Sequence, residues 1–475
     1  MASTTTLIMV DGVQIVVPDS LDLITPYVLL EQQDWFEDEI KFVRRLLKPG
    51  QKVIDIGANY GVYSLSMART VGPTGCVWAF EPASSTARLL AEGIAVNGFT
   101  HVVLERSALS STCGTAQLFL NENSELNTLV PGKQSSSAHE TVPLVTLDEC
   151  MERYGWRDIE FMKIDAEGEE ASILKGGKRF FAELSPLVQY EIKAGADLHI
   201  ELVQDFAALG YDSYRLVPGL DLLVSFDAES TPDGYLLNLF CCKQDCVERL
   251  ATQGFLLAPV THPRTTGTER LMDISGKVKN RNAYDWRHTI AKLPYGAQLA
   301  DRWEQTVAAG NSAEVEVALS FYAVSRDASL SSTERFGALE ASFSLLKILC
   351  ERQPSCLRLA TMARVARDYG ARSLAVNALQ HLANAIRKNN RVDPSEPFLA
   401  PGERFDSAPA PGVAVGKWVL AAVLEEIERL GSFSSFYTGP SAWQRLEIIR
   451  KLGFGSAEME RRLRLLQKRF GLPTS

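Results

Sequence analysis

"QKVIDIGANYGVYSLSMARTVGPTGCVWAFEP", residues 51–82, changes its period twice within one short span. "QKVIDIG" is a near-continuous apolar run of strand length, "YGVYSLSMART" carries apolar residues at helical spacing, and "GCVWAFEP" is again a strand. Outward from it the alternation continues with helix "ASSTARLLAEGIAVNG" and strand "HVVLERSAL". Strands alternating with helices imply parallel pairing through crossover helices, a doubly wound sheet.

An insertion over 115–145 interrupts the pattern. It resumes as helix "LDECMERYG", strand "IEFMKIDA", helix "EEASILKGGKRFF", strand "PLVQYEIK" and a helix from about Asp197 to Leu209. "YDSYRLV" and "YLLNLFCC" follow with no long helix between them, which predicts an antiparallel pair at the sheet edge. Upstream, alternation around Asp11-Gly12 predicts a hairpin, and Asp34 to Leu47 a helix stopped by Lys48-Pro49-Gly50. The fold expected is α/β, a seven-stranded Rossmann-like sheet with an antiparallel last strand.

From about residue 250 the pattern turns helical. The expected organisation is a first domain over 1–248, a Thr-, Pro- and Gly-rich linker over 249–282, and an all-α domain over 283–475. In that last domain the periodicity predicts helices at roughly 283–308, 313–326, 332–352, 355–368, 371–388, 415–431, 440–453 and 456–470. Small residues Ala363, Gly370 and Ala375 suit close helix pairing, so a helical-hairpin domain is expected, with a tetratricopeptide-like array as the alternative. The proline-rich stretch 392–413 reads as an extended loop.

Composition narrows the function classes. A chain of 475 residues, 46% apolar and 23% charged, is ordinary globular material for two or three domains. A formal net charge of -9 repels polyanions, so no nucleic-acid partner is expected. The start lacks a basic leader region and no run of 18 apolar residues occurs, so neither a secretory signal nor a membrane span is expected. The eight cysteines show no metal-ligand or disulfide spacing; they read as reduced thiols of a cytoplasmic protein, Cys241, Cys242 and Cys246 included.

"VIDIGANYG" puts Asp55 near a strand end, with Gly57, Ala58, Asn59, Tyr60 and Gly61 forming the turn into the next helix. Glycines there let a ligand approach the backbone, and the helix start offers unpaired N–H groups. The D-x-G-x-x-x-G spacing is not that of a pyrophosphate-binding turn. A ligand whose amino-acid portion sits by the turn fits better. Glu81 ends the next strand, where a carboxylate can accept ribose hydroxyls, so the pair predicts adenosine binding. Ser107 and Ala108 follow the third strand and are candidates to flank the adenine.

"VIDIGANYGVYSL", "VWAFEP", "VTLDE", "MKIDAEGEEASILKGG", "QYEIK" and "LLNLFCC", in that order, resemble the FkbM family of methyltransferases over roughly residues 35–245. The resemblance implies S-adenosylmethionine as cofactor and hydroxyl groups, on sugars or secondary metabolites, as methyl acceptors. It does not extend to the C-terminal half.

Methyl transfer is an in-line displacement in which positioning dominates and an alcohol must lose its proton. Ligands of doubly wound sheets sit at the carboxyl ends of the strands. Asp165 is therefore expected beside both donor and acceptor, with Glu167 and Glu191 positioning the acceptor or acting as base. Lys163, on the same side of its strand as Asp165, is a candidate partner for one of these acids, and His199 a further candidate base. Glu169 and Glu170 are expected merely to start a helix, favoured by its dipole. Asp165, Glu167 and Glu191 could suit a hard divalent cation, but no histidine accompanies them and no metal is assigned. The polar insertion 121–140 is expected to be a lid over the acceptor.

The reading is an O-methyltransferase acting on a glycan or sugar-bearing metabolite, with the helical half contacting a protein partner or another copy. A polyketide, lipid or protein hydroxyl is the alternative acceptor. A catalytically degenerate scaffold is the alternative from another class.

Overall fold

The apolar runs become neighbours in one sheet. The computed structural model describes residues 3–130, 138–194, 197–258, 284–310, 312–352, 356–389 and 391–473. By contacts the chain divides into two units, one of Met1–Leu216, Leu223–Pro232 and Leu236–Ala258, the other of Val217–Leu222, Asp233–Tyr235 and Pro259–Ser475.

The first unit opens with a hairpin of β1 (Thr4–Ile8) and β2 (Gln14–Pro18), turning at Gly12 with φ 81°. Two helices follow, α1 (Ile24–Gln32) and α2 (Asp38–Leu46). Next come β3 (Lys52–Ile56), α3 (Val62–Val71), β4 (Cys76–Phe80), α4 (Ser84–Asn97) and β5 (Val102–Glu105). The end of the segment read as "HVVLERSAL" forms a separate strand, β6 (Ala108–Leu109), which joins β7 (Gly114–Phe119) and β8 (His139–Val145), from the two ends of the insertion, in a small sheet of order β6-β8-β7. Residues 131–137 of the expected lid lie outside the described residues.

The alternation then resumes with α5 (Leu147–Tyr154), β9 (Phe161–Ile164), α6 (Glu170–Gly176), α7 (Lys178–Glu183) and β10 (Leu187–Glu191). The single helix expected over "EEASILKGGKRFF" is two, broken at Gly177, where the absence of a Cβ lets Leu147 pack closely. The helix expected from Asp197 is shorter: β11 (Lys193–Ala194) and β12 (Asp197–Leu198) pair first, and α8 (Glu201–Ala208) follows. The unit closes with β13 (Asp212–Val217), β14 (Leu222–Ser225), β15 (Asn238–Cys242) and α9 (Gln244–Thr252).

Among the described residues the main sheet has eight strands in the order β14-β13-β15-β10-β9-β3-β4-β5. β3, β4, β5, β9 and β10 are parallel, while β15 runs antiparallel to both β10 and β13. The pair read as closing the sheet is present, but β14 is an additional strand outside it. Two-residue alternation divides the apolar side chains between two cores. Val53, Val77, Phe161 and Leu187 pack with Phe42, Leu65 and Leu90 on one face. Ile54, Trp78, Met162 and Val188 pack with Met151, Ile173 and Phe206 on the other. Burial on both faces explains why these strands read as almost continuous apolar runs.

"VTLDE" has a structural explanation: Thr146 caps α5, its Oγ1 accepting Glu149 N at 3.1 Å.

In the second unit helices run over Pro294–Ala308, Ala313–Ser325, Ser332–Arg352, Cys356–Tyr369, Arg372–Asn389, Val415–Leu430, Trp443–Leu452 and Ala457–Phe470. Their cores hold charge as well as apolar side chains. Glu425, fully buried, is held between Arg404 (2.8 Å) and Arg429 (3.1 Å). The stretch expected as a linker starts inside α9, and from residue 259 to its end at 282 it lies outside the described residues.

Candidate active site

The strand order reverses between β3 and β9, and the ligand crevice of such a sheet opens at the carboxyl ends beside that reversal. Asp55 on β3 and Asp165, just past β9, stand there. The turn after β3 is fastened to the next strand, because Gly57 N and Ala58 N both donate to Phe80 O, at 3.1 and 2.9 Å. Glu81 tightens it: Oε2 accepts Asn59 N and Oε1 accepts Ala83 N, each at 2.9 Å.

Gly57 has φ 79° and Asn59 φ 49°. A Cβ on Gly57 would overlap the carbonyl oxygen of Asp165. Beside the expected role in ligand approach, the glycine thus lets the β9 rim dock against the turn. Gly61, with φ 88°, leads into α3, and Ala58 and Tyr60 are buried.

Asp55 is buried, its Oδ2 accepting Ser64 Oγ at 2.5 Å while Oδ1 meets no protein partner. Burial raises its proton affinity. Burial likewise pushes Glu81 up to about 7, against the lowering effect of the Ala83 and Asn59 N–H groups. Ser107 is buried with an unpartnered Oγ, and Ala108 starts β6.

Across the reversal, register aligns Asp55 with Lys163 and Lys163 with Gln189. Lys163 is buried; its Nζ lies 2.6 Å from Asp165 Oδ2 and 4.9 Å from the centre of the Tyr63 ring. Burial alone would lower Lys163, yet Asp165, Asp55 and Glu37 around it hold it above its ordinary value. One carboxylate oxygen each from Asp165, Glu167 and Glu191 falls within 4.8 Å of the others. Burial first, then the neighbouring Asp165 charge, pushes Glu167 up to about 8 and Glu191 to about 10. Three half-buried acids sharing one lysine can hold and pass a proton, or give one oxygen each to a hard cation.

Two neighbours in "EGEE" do something else. Glu170 turns back on its own loop, with Oε1 accepting Ala166 N at 3.0 Å and Oε2 accepting Gly168 N at 3.1 Å. Glu169 Oε2 accepts Ser110 Oγ at 3.0 Å. They staple the loop, a more specific job than sitting in the helix dipole. His199 precedes α8 rather than lying on a helix; its ring faces Glu201 at 3.2 Å, while its backbone N donates to Ile192 O, one residue from Glu191.

Sequence reasoning missed the layer behind the rim. Tyr63 OH donates to Glu37 Oε2 at 2.6 Å and accepts Gln189 Nε2 at 3.2 Å. Burial, opposed by Lys163, raises Glu37. Gln189 was findable, since an amide inside the apolar run "PLVQYE" must be satisfied within the core. Glu37, in the charged stretch "DWFEDE", carries no such signal.

Residues 55–213 match the family model described as the methyltransferase FkbM domain. No curated protein matches the chain. Among solved structures it is similar to methyltransferase FkbM from Methylobacillus flagellatus KT, at 17% identity over 42% of this chain and 45% of that one, TM-score 0.29. It is also similar to a SAM-dependent O-methyltransferase from Thermotoga maritima, at 13% identity over 50% and 77%, TM-score 0.26. A SAM dependent methyltransferase from Aquifex aeolicus matches at 14% identity over 46% and 92%, TM-score 0.25. The fold rests on the strand order and not on these likenesses. With its reversal point, glycine turn and strand-end carboxylates in the matched region, the chain carries a methyltransferase FkbM domain over residues 55–213.

Proposed function

We propose that this domain transfers a methyl group from S-adenosylmethionine to a hydroxyl on a glycan or sugar-bearing metabolite. The observation that carries the cofactor reading is a pair of buried, unpartnered acceptors, Asp55 Oδ1 on β3 and Ser107 Oγ just past β5. Buried polar atoms are normally satisfied, and a ligand with hydroxyl and amino donors satisfies them. Glu81, whose oxygens each take one backbone N–H, keeps lone pairs for ribose hydroxyls. The residues present therefore fit the group: Asp55 and Gly57 to Gly61 its amino-acid side, Glu81 its ribose, Ser107 and Ala108 its base. When bound, the cofactor supplies an electrophilic methyl group.

The chain's own residues supply position and proton transfer. Asp165, tied to Lys163, stays in place between the glycine turn and the rim. Glu167, raised to about 8, is suited to take the hydroxyl proton, since a base works best when its pKa approaches the working pH, while Glu191, raised to about 10, keeps its own proton near neutral pH and is suited to position the acceptor. Hydroxyl-rich acceptors match a rim built of hydrogen-bond acceptors. His199 stays a subsidiary candidate on the acceptor side. A cytoplasmic location agrees with the unpatterned cysteines, and the helical unit is proposed as a contact for a protein partner or a further copy. No helix among the described residues is long and apolar enough to cross a membrane.

Titration calorimetry with S-adenosylmethionine tests the cofactor. Saturable heat is expected from the wild type, with affinity weakened at least about tenfold in Asp55→Ala and Glu81→Ala, the loss of one to two hydrogen bonds to charged groups. No heat, or heat indifferent to both changes, sinks the reading. Mass spectrometry of a glycan panel incubated with enzyme and labelled cofactor then reads the acceptor through its methyl increment.

A further inference from the structure

The described part of the insertion touches both halves of the site. Its loop is closed at the base by Phe119 and Thr128, whose backbones exchange hydrogen bonds, Phe119 N to Thr128 O at 2.9 Å and Thr128 N to Phe119 O at 3.2 Å. Inside, Asn121 N donates to Asn127 Oδ1 at 2.8 Å. Loops with ends this close are compact and held by their own side chains.

From this loop four side chains reach out. Asn123 Oδ1 accepts Ile24 N at 3.0 Å and Glu125 Oε1 accepts Thr25 N at 3.1 Å, so the insertion caps α1, which has no side-chain cap of its own. Thr25 Oγ1 also donates to Glu125. Ser124 Oγ donates to Asn59 Oδ1 at 3.0 Å, on the glycine turn. Thr128 Oγ1 donates to the carbonyl oxygen of Glu167 at 2.7 Å, on the rim.

The two residues held in this way, Asn59 and Glu167, are both non-glycine residues in left-handed conformation, at φ 49° and 47°. Such conformations persist where surroundings fix them. Holding the Glu167 carbonyl fixes its peptide, and thereby directs its carboxylate to the place where it meets Asp165 and Glu191.

We propose that residues 123–128 are a strap coupling the donor turn to the acceptor rim, with Ser124 and Thr128 as its positioning residues. Resting on the cofactor reading above, it means that occupancy at Asn59 is relayed to Glu167, so donor binding steadies the acceptor carboxylates in the arrangement the structure shows. Glu125 anchors the strap to α1; its second oxygen, Oε2, is buried without a partner.

Hydrogen–deuterium exchange with S-adenosylhomocysteine as the probe tests this. In the wild type the ligand is expected to slow exchange about tenfold or more at 57–61, at 123–128 and at 166–168. In Ser124→Ala the slowing at 57–61 stays and that at 166–168 is lost. In Thr128→Val the slowing at 57–61 and 123–128 stays while 166–168 no longer responds, and Thr128→Ser restores it, an outcome a merely structural threonine would not give. Equal slowing of 166–168 in both variants, or none there in the wild type while 57–61 is slowed, overturns the strap. No slowing anywhere together with no heat of binding overturns the cofactor reading, and the strap with it.

Discussion

Glu191 gains proton affinity on folding because burial removes it from water, and the Asp165, Glu167 and Glu37 charges add to the effect. Its carboxyl moves from near 4.5 to about 10. A carboxyl so raised supports the fold fully below its unfolded value and loses that support as pH rises toward the folded one, because the folded state binds more protons throughout that interval. Glu191→Gln keeps the shape without the charge. It should therefore match the wild type near pH 5 and exceed it near pH 9, by on the order of 1 kcal/mol after allowance for solvent at a half-buried group, or about 2 to 4 °C in Tm. Thermal melts across that range read it, and a variant less stable than wild type at high pH contradicts the crowding of acids. Asp55, Asp165, Glu167 and Glu191 were legible because each stands at the end of an apolar run. Tyr63 and Glu37 were not, since their meeting with Gln189 brings together the residue before α2, α3 and β10, which no local spacing encodes.

Among the elements, the glycine turn carries the strongest geometric demand. Gly57 combines φ 79° with the carbonyl of Asp165 where a side chain would begin, so Gly57→Ala must bend the backbone and push β3 from the β9 rim. Gly98 also has positive φ, 68°, in the left-handed helical region, but open space around it. Alanine at 98 should cost only the conformational term, about 1 kcal/mol, and at 57 about 3 to 5 kcal/mol. Urea midpoints of the two variants compare them directly, and similar costs would mean the turn does not press on the rim. The turn's presence was plain from "DIGANYG"; its demand on the rim was not, because the clash comes from a residue more than a hundred positions away. The insertion shows the same limit. Its serine-rich stretch 121–140 reads as a loop, but no local signal shows that Gly114 to Phe119 and His139 to Val145, at its two ends, pair as strands whose apolar Leu118 and Val142 cover Ala83 and Ala108.

Across the whole molecule the two units were legible to different degrees for one reason. Helices of the second unit are specified by spacing within each segment, so predicted and observed spans agree within a few residues except at Pro294, where proline at the first helical position sets a later start than 283. The order of the main sheet depends on pairing between distant segments, and β14 was missed because its four residues carry too little pattern. That same non-local sheet makes ligand binding visible far from the site. A ligand that binds only the folded first unit stabilises it by mass action, about 2.7 kcal/mol at a concentration near 100 times Kd. Amides at the centre of β3, β9 and β10, which exchange only when the sheet opens as a whole, should then slow by about 100-fold with S-adenosylhomocysteine. Val53, Met162 and Val188 are fully buried reporters of that opening. Slowing confined to the glycine turn, with these three unchanged at saturating ligand, would mean that the central strands exchange through a local opening that leaves the cofactor site intact.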